Sequence, residues 1–167
     1  MRFIIIPLLF CLAGCSGKPI ELRGLKPVTV TVQNDGKPLE GIIVSLNPKE
    51  AQSLRGYNGI TDSSGTAIIR TSVRQMSGAG AAPGEYKVVL LQSFVMPDDI
   101  ASKPGEDTLS AQEQTNLQAK RKAWMDKNRI VPELLEDVAT TPIELIVDET
   151  KGGELVVDVV KYATERQ

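Results

Sequence analysis

The sequence predicts a mainly β protein, in which two antiparallel sheets form a sandwich of about seven strands with one helical insertion. Three observations predict this fold class. Apolar and polar residues alternate with a period of two in several short runs, clusters of turn-forming residues separate those runs, and one segment near residue 110 carries the start signal of a helix. Short strands joined by turns are typical of an antiparallel sandwich.

The first half of the chain predicts four strands with polar turns between them. These strands are residues 28–32, 42–46, 66–71 and 85–91. Residues 34–36 (Asn-Asp-Gly) can adopt the positive φ angles of a tight turn. Residues 62–65 form a second turn, in which we expect the Asp62 carboxylate to accept backbone N–H bonds. Residues 47–58 and 77–83 are predicted to be connections.

Residues 93–130 predict the helical insertion. Residues 110–113 (Ser-Ala-Gln-Glu) match a capping box, and the helix is expected to continue to about Asn128. Leu117 and Trp124, seven residues apart, share one side of it, and little else of large size accompanies them. A helix with so thin an apolar face is expected to lie on the surface of the domain.

The last part of the chain returns to strands. Residues 132–141 are predicted to cross the molecule in an extended conformation. Ile143, Leu145 and Val147 alternate with other residues and predict a strand, and residues 155–160 predict the final one. The expected organisation is a signal peptide (1–14), a lipidated N-terminus and tether (15–25), the sandwich (26–160, with the insertion at about 93–130) and a C-terminal tail (161–167).

The N-terminus has the pattern of a secretory signal. Met1 and Arg2 give it a positive start, and residues 3–12 are almost entirely apolar. About ten apolar residues are too few to span a hydrocarbon layer of roughly 30 Å as a helix. We therefore expect a targeting segment rather than a membrane anchor.

The tetrapeptide Leu12-Ala13-Gly14-Cys15 resembles the lipobox of bacterial lipoproteins. The resemblance implies that Cys15 is acylated, becomes the first mature residue and holds the protein to a membrane of the cell envelope. In that family an aspartate directly after the cysteine is used for sorting to the inner membrane. Ser16 at this position implies passage to the outer membrane. An ordinary signal peptide with an incidental cysteine is the alternative.

The composition excludes several function classes. The chain has 167 residues, no histidine, two cysteines and a formal net charge of −2. Without histidine it cannot form Ser-His-Asp or Cys-His catalytic systems or histidine-ligated zinc. Cys11 lies in the predicted signal peptide and Cys15 is predicted to carry lipid, so no free thiol is expected. A weakly acidic chain without a dense basic patch disfavours nucleic acid as a partner, and we expect no cofactor.

Few side chains indicate a binding surface. Tyr57 and Phe94 lie on predicted loops, and Trp124 is the only tryptophan, so these three residues are the candidate surface. Anchoring of the helix is the alternative role for Trp124. The carboxylate pairs at 98–99 and 136–137 are neighbours in sequence and are interpreted as solvated loop charges, because paired acid and base chemistry needs carboxylates that converge across a cleft. No catalytic or metal-ligating residue is predicted.

Several motifs, in order, resemble the carboxypeptidase regulatory-like domains of bacterial lipoproteins. They are Asn34 to Gly41 with Val44, Thr61-Asp62 with Gly65, Ala82 to Val88, Pro132-Glu133 through Asp137 to Ile143, and Gly152 to Val159. The resemblance covers about residues 26–160 and leaves the helical region as a variable insert. It implies a transthyretin-like or immunoglobulin-like sandwich that serves as an accessory or binding module. The related hydroxyisourate hydrolases depend on histidines, which this chain lacks.

Three functions follow as hypotheses. The first is a membrane-anchored, non-enzymatic sandwich that contacts another cell-envelope protein through its insertion or loops. The second is a carbohydrate-binding module, although polysaccharide platforms usually need several coplanar aromatic rings and this chain has few aromatic residues. The third is a hydrolase that uses carboxylates or a Ser/Lys pair, which the lack of histidine and of any nucleophile motif disfavours.

Overall fold

The computed structural model describes residues 20–21, 24–50, 56–73, 76–102, 105 and 108–163. Within these residues the protein is mainly β, with two sheets that form a sandwich and one main helix. The fold class expected from the sequence is confirmed. The predicted signal peptide, the lipobox and Cys15 lie outside the described residues.

The strands are β1 (Ile20–Glu21), β2 (Val28–Asn34), β3 (Lys37–Pro38), β4 (Ile42–Pro48), β5 (Gly56–Ile60), β6 (Thr66–Ile68), β7 (Arg70–Val73), β8 (Met76–Ala79), β9 (Gly84–Gln92), β10 (Glu144–Val147) and β11 (Gly153–Asp158). The helices are α1 (Ala111–Asn128) and the short α2 (Val160–Ala163), and a 3₁₀ turn spans Glu133–Leu135. The described strands outnumber the predicted ones because several are only two to four residues long, and because one predicted strand is divided in two.

The larger sheet has the strand order β1-β8-β7-β5-β4-β9-β10. Its longest pairing is between the antiparallel strands β4 and β9, in register from Ile42 opposite Gln92 to Pro48 opposite Tyr86. The smaller sheet has the order β11-β2-β3, with β6 also paired to β2. Most pairs are antiparallel, but β11 runs parallel to β2 and β1 runs parallel to β8.

The core lies between the two sheets. Alternate residues of β2 and of β4 are buried, with Val30, Val32 and Val44 fully inaccessible. The same alternation was predicted for β2 from the sequence, because a strand with one face against a core buries every second side chain. Removal of these apolar faces from water is the main force that holds the sheets together.

The chain changes sheets at Ile69, where one predicted strand divides into two. β6 pairs with β2 in the smaller sheet, whereas β7 pairs with β5 in the larger one. Ile69 is fully buried between them, and its N–H donates to the Val28 carbonyl at 3.0 Å. Local sequence does not reveal this crossing because it depends on which distant strand each half meets.

Three segments differ from their predicted conformation. The segment 47–58 ends in β5, and the segment 77–83 begins within β8. The segment 132–141, expected to be extended, contains the 3₁₀ turn and a second turn in which Asp137 accepts from Thr141 N–H at 2.9 Å. β5 and β8 are poor in strand-forming residues, so pairing with neighbouring strands determines their conformation.

The predicted turns are confirmed. Asp35 and Gly36 have φ angles of 52° and 73°, as a tight β2–β3 hairpin requires. Asp62 Oδ1 accepts bonds from the backbone N–H groups of Ser64 at 2.9 Å and Thr66 at 3.1 Å. The hydroxyl of Ser64 also donates to this oxygen, and these bonds hold the pKa of Asp62 below its ordinary value.

No helix in the part of the chain that the structure describes is long and apolar enough to cross a membrane.

Candidate functional site

Helix α1 begins at the capping box that the sequence predicts. The Ser110 backbone N–H donates to Glu113 Oε2 at 3.0 Å, and the Ser110 side chain accepts from Glu113 N–H at 3.4 Å. The Ser110 hydroxyl also donates to Glu113 Oε2 at 2.6 Å. The bond from the Ser110 hydroxyl is the main reason that the pKa of Glu113 lies below its ordinary value. The bond from the Ser110 backbone N–H is the second reason. Local sequence therefore fixes where the helix starts.

The helix lies on the surface of the domain, as expected from its thin apolar face. Of its 18 residues, Arg121 is the only buried one, at 7 % exposure. Leu117, Trp124 and Met125 are half-buried, and the other positions are exposed. A helix with so little buried surface needs specific contacts to hold it in one position.

Those contacts come from five residues that we call the anchor cluster: Gln92, Phe94, Arg121, Trp124 and Arg129. The rings of Phe94 and Trp124 meet edge to face, with centroids 6.1 Å apart and planes at 78°. The Arg129 guanidinium lies 6.0 Å from the centre of the Phe94 ring. Edge-to-face rings and a cation over an aromatic face both attract through the ring quadrupole.

Gln92, at the end of β9, joins the sheet to the chain that leaves α1. Its Nε2 donates to the Asn128 carbonyl at 2.9 Å. Its Oε1 accepts from the backbone N–H groups of Ile130 at 2.7 Å and Val131 at 3.2 Å. One side chain thus satisfies three backbone groups at and just beyond the helix C-terminus, where intrahelical partners are missing.

Two arginines complete the anchor cluster. The buried Arg121 donates from Nε to the Ile100 carbonyl at 2.7 Å, which ties the helix to the loop before it. Arg129 donates to Glu136 and forms an ion pair with it, and both side chains are largely covered. Glu136 is therefore not the solvated loop charge that the sequence interpretation expects.

The structure brings together two of the three predicted surface residues. Phe94 and Trp124 are in contact, and Trp124 has the anchoring role given as its alternative. Tyr57 is a correction: it lies in β5 rather than on a loop and is 1 % exposed. Its ring packs edge to face on Tyr86, with centroids 5.5 Å apart. Tyr57 therefore belongs to the core and offers no exposed ring.

The aromatic geometry bears on the carbohydrate hypothesis. A glycan platform presents flat, coplanar rings, whereas the half-buried rings of Phe94 and Trp124 lie at 78° to each other. Tyr57 and Tyr86 are buried. The described aromatic residues thus stabilise the domain, and no observation favours a glycan platform.

Sequence reasoning missed Gln92, Arg121 and Arg129 as members of the anchor cluster. A signal for Arg121 was present, because it lies four residues after Leu117 and three before Trp124, on the same helix face. Gln92 and Arg129 carry no such signal. Their contacts form only because the fold brings the end of β9 beside the end of α1.

A group of four charged residues lies on the outer face of the larger sheet. Lys49 Nζ is 2.7 Å from Glu144 Oε2 and 3.1 Å from Glu85 Oε2, and Lys87 Nζ is 3.1 Å from Glu144 Oε1. The bond from Lys49, followed by that from Lys87, lowers the pKa of Glu144. The pKa of Lys49 is raised, first by Glu144 and then by Glu85. These charges neutralise one another across three strands.

The described residues include no group of three or more aspartate, glutamate or cysteine side chains placed to hold a metal ion. The carboxylates predicted as loop charges do not converge: Asp98 and Asp99 are exposed in a turn, and Asp137 Oδ1 accepts from Ala139 N–H at 2.7 Å. The candidate functional site is therefore the outward surface of α1, positioned by the anchor cluster.

Comparison with models of known protein families gives no match for this chain, and a search of curated proteins also gives none.

Proposed function

We propose that this protein is a membrane-anchored, non-enzymatic accessory module whose sandwich presents helix α1 to another protein of the cell envelope. The proposal rests on one observation: most residues of α1 are exposed, yet specific contacts hold the helix in one position. Only one of its 18 residues is buried, yet both the middle and the C-terminal end of the helix are held by specific contacts. A helix that only covered the core would bury an apolar stripe.

The outward surface of α1 has the chemistry of a polar protein contact. Its first half exposes the amides of Gln112, Asn116 and Gln118, and its second half exposes Lys120 and Lys127. Cations near the C-terminus also suit the helix dipole, so their presence has a structural benefit. A partner with acceptor groups and acidic side chains would complement this surface.

The proposed location rests on the lipobox resemblance at residues 12–15. Acylation of Cys15 would place the domain at a membrane, because Cys15 precedes β1 of the larger sheet by only a few residues. Each buried acyl CH₂ contributes about 0.8 kcal/mol, and stable attachment takes more than one chain. The carbohydrate-binding alternative receives no support from the described aromatic residues, and the hydrolase alternative receives none from the described carboxylates.

Site-specific photo-crosslinking in intact envelopes tests the contact. A photoreactive phenylalanine analogue at the exposed position Gln118 is expected to capture one discrete protein. The same analogue at Ser63, exposed in the turn between β5 and β6, is the matched control and should not capture it. The double substitution Lys120→Glu and Lys127→Glu should reduce capture from position 118. Equal capture from both positions would contradict the proposed role of α1.

Metabolic labelling tests the location. Wild-type protein is expected to incorporate a labelled fatty acid, and Cys15→Ser should abolish incorporation while the circular dichroism of the domain stays unchanged. Continued acylation of the variant would show that the lipobox interpretation is wrong.

A further inference from the structure

β11 is the outermost strand of the smaller sheet, and its hydrogen bonds to β2 fix which of its backbone groups are used. Gly153 N–H donates to the Pro27 carbonyl at 3.0 Å, and Val159 N–H donates to the Gln33 carbonyl at 2.9 Å. In a parallel ladder, residues two apart direct both backbone groups to the same neighbour. The odd-numbered residues of β11 therefore face β2.

The even-numbered residues direct their backbone groups to the opposite, open side. Among the described residues, no hydrogen bond reaches the backbone N–H or C=O of Glu154 or of Val156. An edge strand with unpaired backbone groups is a template for another strand unless the protein covers or charges it.

The outward side chains of this edge alternate between acid and apolar. Val156 is 66 % exposed, and Glu154, two residues before it on the same face, is also exposed. Asp158 follows on the same face, where its Oδ1 accepts from Asp35 N–H at 3.0 Å. An open groove that Pro27, Thr29 and Lys151 help to line leaves space at the start of the strand.

We propose that the open edge of β11 binds an extended segment of a partner protein by strand addition, and that this segment carries a basic residue on either side of an apolar one. An added strand would place its side chains about 5 Å from those of β11 on the same face. Glu154 and Asp158 would then lie beside basic residues, and Val156 beside an apolar one. Backbone bonds give such a complex its affinity, and the alternating side chains give it specificity.

Charge repulsion also disfavours a second copy of this chain as the strand that binds the open edge of β11. The symmetrical antiparallel register that pairs the two exposed Val156 side chains places Glu154 of one copy opposite Asp158 of the other. Like charges directly opposite each other destabilise a strand pair. A basic-flanked segment has no such conflict.

This inference does not depend on the proposed role of α1. β11 belongs to the smaller sheet, whereas the insertion that contains α1 follows β9 of the larger sheet. The crosslinking at Gln118 and the peptide binding described next can therefore succeed or fail separately.

Peptide binding to the full-length chain in detergent micelles tests the inference. The probe is a capped, fluorescently labelled peptide of seven residues, with lysine at positions 2 and 6, valine at position 4 and threonine elsewhere. A second peptide has glutamate in place of both lysines. Anisotropy titrations are expected to show binding of the lysine peptide, and NMR should place the largest amide shifts at Glu154 and Val156.

Three variants make the test specific. Glu154→Lys should weaken binding of the lysine peptide about fivefold, as expected for reversal of a cross-strand charge pair, and strengthen binding of the glutamate peptide. Glu40→Lys makes the same charge change at an exposed site outside β11 and should leave both affinities unchanged. Val156→Pro removes an amide that points to the open side and should abolish binding, while protected Leu155 and Val157 amides show that the β2 ladder persists.

The inference is overturned if the lysine peptide does not bind at millimolar concentration, or if Glu154→Lys and Glu40→Lys have equal effects. Sedimentation could instead show self-association of the protein. If Val156→Pro removes that self-association and the lysine peptide does not compete with it, the occupant is a second copy of the chain. That result would also overturn the proposal of a basic-flanked segment.

Discussion

The sandwich and the helical insertion of this protein are held in place by different kinds of contact. In the sandwich, strands from both sheets bury alternate side chains in one continuous core. Within the described part of residues 93–130, no side chain belongs to that core cluster. Within the insertion, α1 is held by the ring contacts of Phe94 and by the bond from Arg121 to the Ile100 carbonyl. Gln92 of β9 joins the end of α1 to the larger sheet.

This difference separates global from local stability. Core burial is shared by every strand, so its loss should lower the free energy of unfolding of the whole domain. The contacts of the anchor cluster lie within the insertion or at the end of β9, so their loss should release α1 without unfolding the sheets.

Leu90→Ala should cause the largest loss. Leu90 of β9 is fully buried, and removal of a buried leucine side chain costs about 2–5 kcal/mol of unfolding free energy. Chemical denaturation followed by circular dichroism measures it. Val95→Ala, at a residue that is 89 % exposed, is the control and should change the value by less than about 0.5 kcal/mol. A loss below about 1 kcal/mol for Leu90→Ala would contradict a shared core that includes the inner face of β9.

Phe94→Ala should have a smaller and local effect. It removes the ring that contacts both Trp124 and Arg129, and aromatic pairs of this kind contribute about 0.5–1.5 kcal/mol beyond their buried area. Hydrogen exchange measured residue by residue should accelerate in α1 and stay unchanged in β4 and β9. Equal acceleration in all three elements would show that the insertion is part of the cooperative core.

Ser110→Ala should affect only the first turn of α1. Loss of a serine N-cap costs about 1 kcal/mol of helix stability. Here the bonds of the Ser110 hydroxyl to Glu113 N–H and to Glu113 Oε2 disappear, while the Ser110 backbone N–H still donates to Glu113 Oε2. The Cα chemical shifts of residues 111–115 should move towards random-coil values. No shift change in that turn would contradict the described cap.

The pH response of the same turn gives the smallest effect. Since the folded pKa of Glu113 is lowered, its contribution is fully present above the unfolded value of about 4.3 and is lost as the pH falls through the folded pKa. In wild-type protein the Cα shifts of this turn should therefore change as the pH falls below about 4. Glu113→Gln should remove that response. If the Cα shifts of Glu113→Gln change with pH as those of the wild type do, the response belongs to another titrating group.

Local chemistry made some parts of the fold predictable. The alternation in β2, the turn at Asp35 and Gly36 and the capping box at Ser110 depend only on neighbouring residues, and all three are confirmed. β5, β8 and the crossing at Ile69 were missed because distant strands determine them.

The same distinction holds for the candidate site. Trp124 could be placed on the inner side of the helix from its spacing to Leu117, and its anchoring role was among the predicted alternatives. Tyr57 was misplaced, because a segment of glycine, asparagine and tyrosine indicates a loop until its pairing with β4 is known. Gln92 could not be identified, since a polar residue at a strand end has no pattern that distinguishes it.

Replacement of residues 94–128 by a short Gly/Ser linker tests whether the sandwich folds without the insertion and whether α1 is the surface that it presents. The ends of the insertion are close, because Gln92 Oε1 accepts from Ile130 N–H at 2.7 Å, so a short linker can join them. We expect the amides of β4 and β9 in this variant to keep their protection from hydrogen exchange. We also expect that the protein captured from Gln118 in the wild type does not co-purify with the variant from envelopes. Loss of protection in both strands, or co-purification of the same protein with the variant, would contradict the claim that the sandwich is an independent scaffold that presents α1.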